Sequence, residues 1–270
     1  GKNIVFTDIQ KGPVMRVATY ERGRLRFWTD PFEINVSNEF HFFTPSDSVQ
    51  DVTLFAKYTL RADDMFLNRM IGGTFEGSND PDFREKEVLY LINEKPKRLQ
   101  TVVQSYSSKP YRYVRYIGPK DSHCNIAEAA FYTPNDTASL KGKVIGTSGC
   151  FQKDGSHEYT NVFDGDVTTS FDYVEPSGGW SGLDLGIPKQ IGRIIYTPRN
   201  YDNYVCHGDD YELFYCAKRG KWRSLGWQFA EKDSLVYKDV PHNVLLLLKN
   251  YSKGVQERIF TYDVGKQLWK

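Results

Sequence analysis

The chain has 270 residues, room for one large domain or two of ordinary size, and two is the better reading. Its 35 Lys and Arg stand against 34 Asp and Glu, so no overall field draws in nucleic acid or an anionic membrane, and neither is expected as a partner. The longest apolar run, Val244 to Leu248, has the length of one buried strand, which argues against a membrane-inserted helix.

Along the chain, short alternating or apolar runs lie between Gly, Pro, Asn and Asp clusters, the pattern of β-strands. Val14 to Tyr20, the turn Glu21-Arg22-Gly23 and Leu25 to Trp28 predict a strand pair. Strands follow at Val52 to Tyr58, Tyr111 to Ile117, Ile191 to Tyr196, Tyr211 to Cys216, Asn243 to Leu248 and Arg258 to Tyr262. Helical periodicity is confined to a short turn between Phe83 and Ile92. The fold class is all-β.

An internal repeat sets the domain count. Phe55-Ala56-Lys57-Tyr58-Thr59-Leu60-Arg61 matches Arg193-Ile194-Ile195-Tyr196-Thr197-Pro198-Arg199, and Gly73 to Gly77 matches Asp209 to Leu213. Tyr113 to Tyr116 then falls with Leu245 to Leu248, and Ala129 to Tyr132 with Ile259 to Tyr262, so the offset runs from 138 residues at the first match to 130 at the last. Two consecutive sandwiches are expected, 1–133 and 134–270, meeting near Thr133-Pro134-Asn135-Asp136. The first is atypical: residues 1–48 are either its altered N-terminal half or a separate small β unit.

Asn161 to Asp172, Asn-Val-Phe-Asp-Gly-Asp-Val-Thr-Thr-Ser-Phe-Asp, precedes Gly178-Gly179-Trp180-Ser181-Gly182-Leu183-Asp184-Leu185-Gly186. This acidic turn, aromatic and Asp-Leu-Gly strand resemble discoidin-like domains: factor 5/8 type C, galactose-binding-like jelly rolls and family 32-type carbohydrate-binding modules. The resemblance covers 134–270 well and 49–133 moderately. It implies a structural calcium held by Asp164, Asp166 and Thr169, with a late glutamate at Glu257, where Arg258 fits the alignment equally. Calcium suits the chemistry, because a Gly-containing turn lets several hard oxygens converge; the alternative is a turn capped by Asp164 through its own backbone.

Loops at the end of a β-sandwich carry ligands while the sheets hold them still. Arg199, Tyr201, Asp202, Asn203 and Tyr204 supply the aromatic faces, amide and guanidinium that grip paired sugar hydroxyls. His157, Glu158 and Tyr159 form a second rim. The structural alternative makes Arg199 a brace for its own loop, for example through Asp202.

Catalysis is not expected, and no catalytic residue is assigned. The five histidines are scattered, and no nucleophile elbow, zinc-binding helix or phosphate loop occurs. His123 and Cys124 are adjacent and point apart, and Asp63 or Asp64 with Glu76 lacks the deep cleft a glycosidase needs. Cys206 and Cys216 either bridge a hairpin or stay buried thiols alongside Cys124 and Cys150.

The start at Gly1-Lys2-Asn3 is expected of a processed protein or the end of a longer one. The resemblance extends to the C-terminal part of secreted bacterial multidomain proteins. The expectation is thus a non-catalytic, extracytoplasmic glycan-binding pair with dissociation constants of about 0.1 to 1 mM per site. The rival is a spacer packing on an upstream transglutaminase-like, peptidase-like or glycoside hydrolase domain.

Overall fold

The structure, a computed structural model, describes residues 5–58, 61–253 and 258–270, without the side chains of 61–64. First come two hairpins, β1 (Ala18–Glu21) with β2 (Arg24–Phe27) and β3 (Phe32–Ile34) with β4 (Phe40–Phe42), then β5 (Val49–Leu54). A helix, α1 (Arg61–Asn68), leads into β6 (Thr74–Ser78), β7 (Lys86–Leu91), β8 (Thr101–Gln104), β9 (Pro110–Ile117) and β10 (Ile126–Tyr132). Next are β11 (Lys143–Gly146), a 3-10 turn at Tyr159–Phe163, β12 (Trp180–Gln190) and β13 (Arg193–Pro198). The chain closes with β14 (Asp210–Ala217), β15 (Lys221–Phe229), β16 (Leu235–Pro241), β17 (Leu246–Asn250), β18 (Ile259–Asp263) and β19 (Lys266–Trp269). Every described ladder is antiparallel, so the protein is all-β apart from α1 and short turns.

The helical turn expected between Phe83 and Ile92 is instead strand β7, because pairing with β6 sets Leu89 in the core. A helix that the strand pattern did not predict lies over Arg61–Asn68, among the good helix formers Ala62, Met65 and Leu67 and with Phe66 buried.

The strands fall into two compact units. In the continuous unit, Leu60–Asn203, the sheet β11-β12-β9-β6-β7 shares one core with the sheet β10-β13-β8. Phe75, Val114, Tyr116 and Leu183 come from the first sheet, and Ile126, Phe131, Ile194 and Tyr196 from the second. Phe75 sits within 5.1 to 6.0 Å of the Tyr116, Phe131 and Tyr196 rings, which ties the two layers together. In the split unit, Gly1–Thr59 with Tyr204–Lys270, the sheet β15-β14-β17-β18-β19 shares its core with the pair β16-β5 through Val52, Leu54, Tyr211, Leu213, Tyr237 and Phe260.

This partition corrects the expected division at 133/134. That boundary cuts the continuous unit, whose strand β12 is bonded on one edge to β11 and on the other to β9, with Leu183 opposite Val114. Strand β13 likewise lies between β10 and β8. The repeat survives in the pairing pattern: the order β7-β6-β9 recurs as β15-β14-β17, and β8 with β13 recurs as β16 with β5. The halves are exchanged, however. Strands β6 to β10 close on β11 to β13, whereas β14 to β18 close on β5. The chain passes between units at 59/60 and 203/204, after β5 and after β13. At its exit from the split unit the chain is secured to its own return, by a bridge between Ala56 and Tyr204 and a bond from Val205 N–H to the Phe55 carbonyl.

All four cysteines are buried free thiols, so Cys206 and Cys216 form no bridge.

Candidate functional site

The loops expected to bind sugar gather at one end of the continuous unit, and most of their side chains are engaged internally. Arg199 pairs with Asp172 at 2.5 Å rather than with Asp202. Asp172 also accepts from Asn125 Nδ2 at 2.7 Å, and Asn125 in turn accepts from Arg69 Nη1 at 2.8 Å. The Arg199 guanidinium lies 4.5 Å from the Phe66 ring centre. With Asp172 and Asn125 both buried, this chain fastens α1, the start of β10 and the end of β13 to one another.

The second rim is equally occupied. The His157 ring bonds the Ser170 carbonyl at 3.2 Å, Glu158 accepts from the Gly149 N–H at 2.9 Å, and Tyr159 packs on the core. Of the hexapeptide, Tyr201 is exposed and rests against Phe66, Asp202 turns in the left-handed region at φ 58°, and Asn203 is buried. Tyr204 belongs to the split unit. The expected set is therefore divided between the units, and His157, Glu158 and Arg199 within it are bonded internally.

In the acidic turn, Asp164 Oδ1 accepts from the Asp166 N–H and Oδ2 from the Thr169 hydroxyl, both at 2.8 Å. Asp166 caps Thr168. A third carboxylate, Glu128 of β10, accepts from the Gly165 N–H at 2.8 Å and contacts Asp164. Burial, then the bond to Asp164, pushes the Glu128 carboxyl up to about 8. Two carboxylates this close need a proton or a cation between them, and the donors are the hard oxygens calcium takes. Among the described residues, no group of three or more His, Cys, Asp and Glu side chains is gathered as a metal cluster. Glu257, the expected late glutamate, lies outside the described residues, and Arg258 belongs to the split unit whereas the turn belongs to the continuous one. Glu128, from the strand β10 that precedes the turn, is the carboxylate that meets it among the described residues.

The split unit contains a groove of about 370 Å³ that no motif pointed to. Phe43 forms an apolar wall, with the His41 ring edge-on at 4.9 Å and Lys270 Nζ 5.4 Å from its centre. Lys270 also pairs with Glu33 of β3 at 2.8 Å. Asn243 binds the carbonyls of Phe42 and Thr44, and the backbones of His242, Ser46 and Ser48 interlock, which fixes the rim. Among the described residues, no hydrogen bond or ion pair holds the imidazoles of His41 and His242 or the Asp263 carboxylate, all of which line the groove.

No family model, curated protein or solved structure matches this chain.

The residues that build the groove were invisible singly. His41 and Phe43 stand about 200 residues before His242 and Asp263, and only the closure of β14 to β19 on the N-terminal hairpins brings them together. Asp172 was within the quoted motif, but nothing in its spacing named Arg199 as its partner.

Proposed function

We propose that this protein binds glycan without catalysis, and that the Phe43 groove of the split unit is the binding site. One observation carries the proposal: a groove rimmed by two imidazoles and a carboxylate that no hydrogen bond or ion pair holds among the described residues, over the buried Phe43 ring. Paired sugar hydroxyls can bridge such donors and acceptors, while the exposed Leu268 side chain in the same groove offers an apolar contact to the C–H face of the sugar. Recognition rather than chemistry is supported by the fate of the candidate reactive groups. Cys124 is fully buried, its thiol pushed up to about 12 by desolvation, and Glu76 is locked to Arg115 and Lys86. The proposed setting is extracytoplasmic, where such modules hold larger proteins to saccharide.

A glycan array with the whole chain tests the reading. His242→Ala with Asp263→Ala should weaken binding about tenfold or more at unchanged melting temperature, since both residues are exposed. Tyr201→Ala should leave binding intact. Loss with Tyr201→Ala instead moves the site to the loop end, and silence across all glycans refutes the reading in favour of a spacer.

We also propose structural calcium at the acidic turn, held by Asp164, Glu128, Thr169 and backbone oxygens near Asp166. Calcium at 100 times its dissociation constant should stabilise the continuous unit by about 2.7 kcal/mol. Asp164→Ala should abolish that gain in a calorimetric melt. A wild-type midpoint indifferent to calcium refutes the assignment.

A further inference from the structure

Two Arg-Gly turns of the split unit concentrate a charge that the near-neutral chain hides. Residues 16–30 and 218–223 hold eight Lys and Arg against Glu21 and Asp30, in a chain whose net charge is +1. The first turn joins β1 to β2: Arg22 and Gly23, at φ 49° and 78°, close a two-residue loop between the paired Glu21 and Arg24. Arg219 and Gly220, at φ 58° and 71°, repeat that conformation between β14 and β15. Left-handed backbone favours Gly or Asn, so arginine stands at both places against its conformational preference. The two turns are joined. Arg16 Nη1 donates to the Gly220 carbonyl at 3.3 Å while its guanidinium lies 4.5 Å from the Phe27 ring centre, and the Arg219 N–H donates to Asp30 Oδ1 at 2.7 Å. The second turn therefore abuts the root of the β1–β2 ribbon, and Arg24 lies three residues, about 10 Å, further along it. Arg26 meets Glu21 at 3.8 Å, with both side chains largely exposed. Among the described residues, no hydrogen bond or ion pair holds the side chains of Arg22, Arg24, Lys218, Arg219, Lys221 and Arg223, all of them exposed.

We propose that this surface binds a linear sulfated polysaccharide. Six cations without partners, four of them arginines, offer N–H donors to sulfate oxygens spaced along a chain. Tyr20, 74% exposed on the ribbon, gives an open aromatic face to the apolar side of one sugar ring. A lipid surface fits less well, because the ribbon's tip, Glu21 to Arg24, has no apolar residue to enter it. A nucleic-acid single strand asks for a row of aromatic platforms, and the Trp28 face is already covered by the Arg26 guanidinium at 4.3 Å. The inference does not rest on the Phe43 groove, with which this surface shares no residue.

The test is calorimetric titration of the whole protein with a sulfated dextran oligosaccharide and with unsulfated dextran of the same length, at low and at physiological salt. The sulfated chain should bind about tenfold more tightly than the neutral one at low salt, and the advantage should shrink as salt screens the exposed cations. Arg22→Gln with Arg24→Gln, and separately Lys218→Gln with Arg219→Gln, should each weaken sulfated-dextran binding about tenfold. Tyr20→Ala should weaken it several-fold, and none of these changes should alter the melting temperature, since the side chains are exposed. Equal binding of the two dextrans, no binding of the sulfated chain by the folded protein, or loss with only one of the two pairs or with neither would overturn the proposal. So would polyglutamate, an oligothymidylate or vesicles of anionic phospholipid bound more tightly than sulfated dextran. The His242→Ala, Asp263→Ala variant should bind sulfated dextran normally, so failure of the Phe43 groove and failure of this surface are told apart.

Discussion

Separately produced fragments 1–133 and 134–270 should be unfolded or aggregated, whereas fragment 60–203 should unfold in a single cooperative transition. Cutting at the sequence repeat severs the ladders of β12 with β9 and of β13 with β10 and β8. It also parts Phe75, Val114, Phe131 and their neighbours from Leu183, Ile194 and Tyr196, leaving both halves of one core in water. Unpaired strand edges with exposed apolar faces associate with other chains. Fragment 60–203 keeps every one of these contacts. Circular dichroism and calorimetry on the three fragments decide the matter: a folded, monomeric 134–270 would show that the repeats close on themselves and that the exchanged pairing is wrong.

Glu76→Ala should cost the continuous unit about 3 to 5 kcal/mol, a fall of about 10 to 20 °C in its melting midpoint. Glu76 and Arg115 face each other across β6 and β9 on the side of the sheet away from the core, yet both are buried. Arg115 donates to Glu76 from Nε at 2.9 Å and from Nη2 at 2.8 Å, under the Phe83 ring at 4.0 Å and beside Trp180 at 5.1 Å. Removing the carboxylate strands a desolvated guanidinium there. Lys86, which meets Glu76 from a largely exposed position, should tolerate Lys86→Met at less than about 1 kcal/mol. Replacing both members, Glu76→Met with Arg115→Met, should recover part of the loss, since an apolar pair needs no compensation. Chemical denaturation of the three variants checks the order. A Glu76→Ala loss no greater than that of Lys86→Met contradicts the account.

The strands were largely legible because each is written in local alternation: β9, β13, β14 and β18 all lie within two residues or so of the runs that predicted them. The helix was not, since Arg61–Asn68 carries only two turns of weak pattern and its register depends on Phe66 finding a buried place. The repeat was visible too, but repetition says which segments are alike and not which ones pair. Either closure would leave the same pattern in the chain. The same gap explains the site. Arg199 and His157 were singled out for polar chemistry that turned out to serve Asp172 and Ser170, and Glu128 was passed over because its partner turn lies in the other repeat. Residues that act across an exchanged boundary leave no local trace.

The nesting of one unit within the other constrains how the polypeptide is born. Strand β5 leaves the ribosome before the continuous unit, yet the sheet that shares its core begins at β14. All of Leu60–Asn203 must be translated in between, a delay of about 7 to 30 s at 5 to 20 residues per second. During that interval Val52 and Leu54 lack the core partners that β14 to β18 bring, and by its end the later-starting unit is complete. The segment before Leu60 is thus translated ahead of the continuous unit yet matures after it, and it is the one with more need of a chaperone.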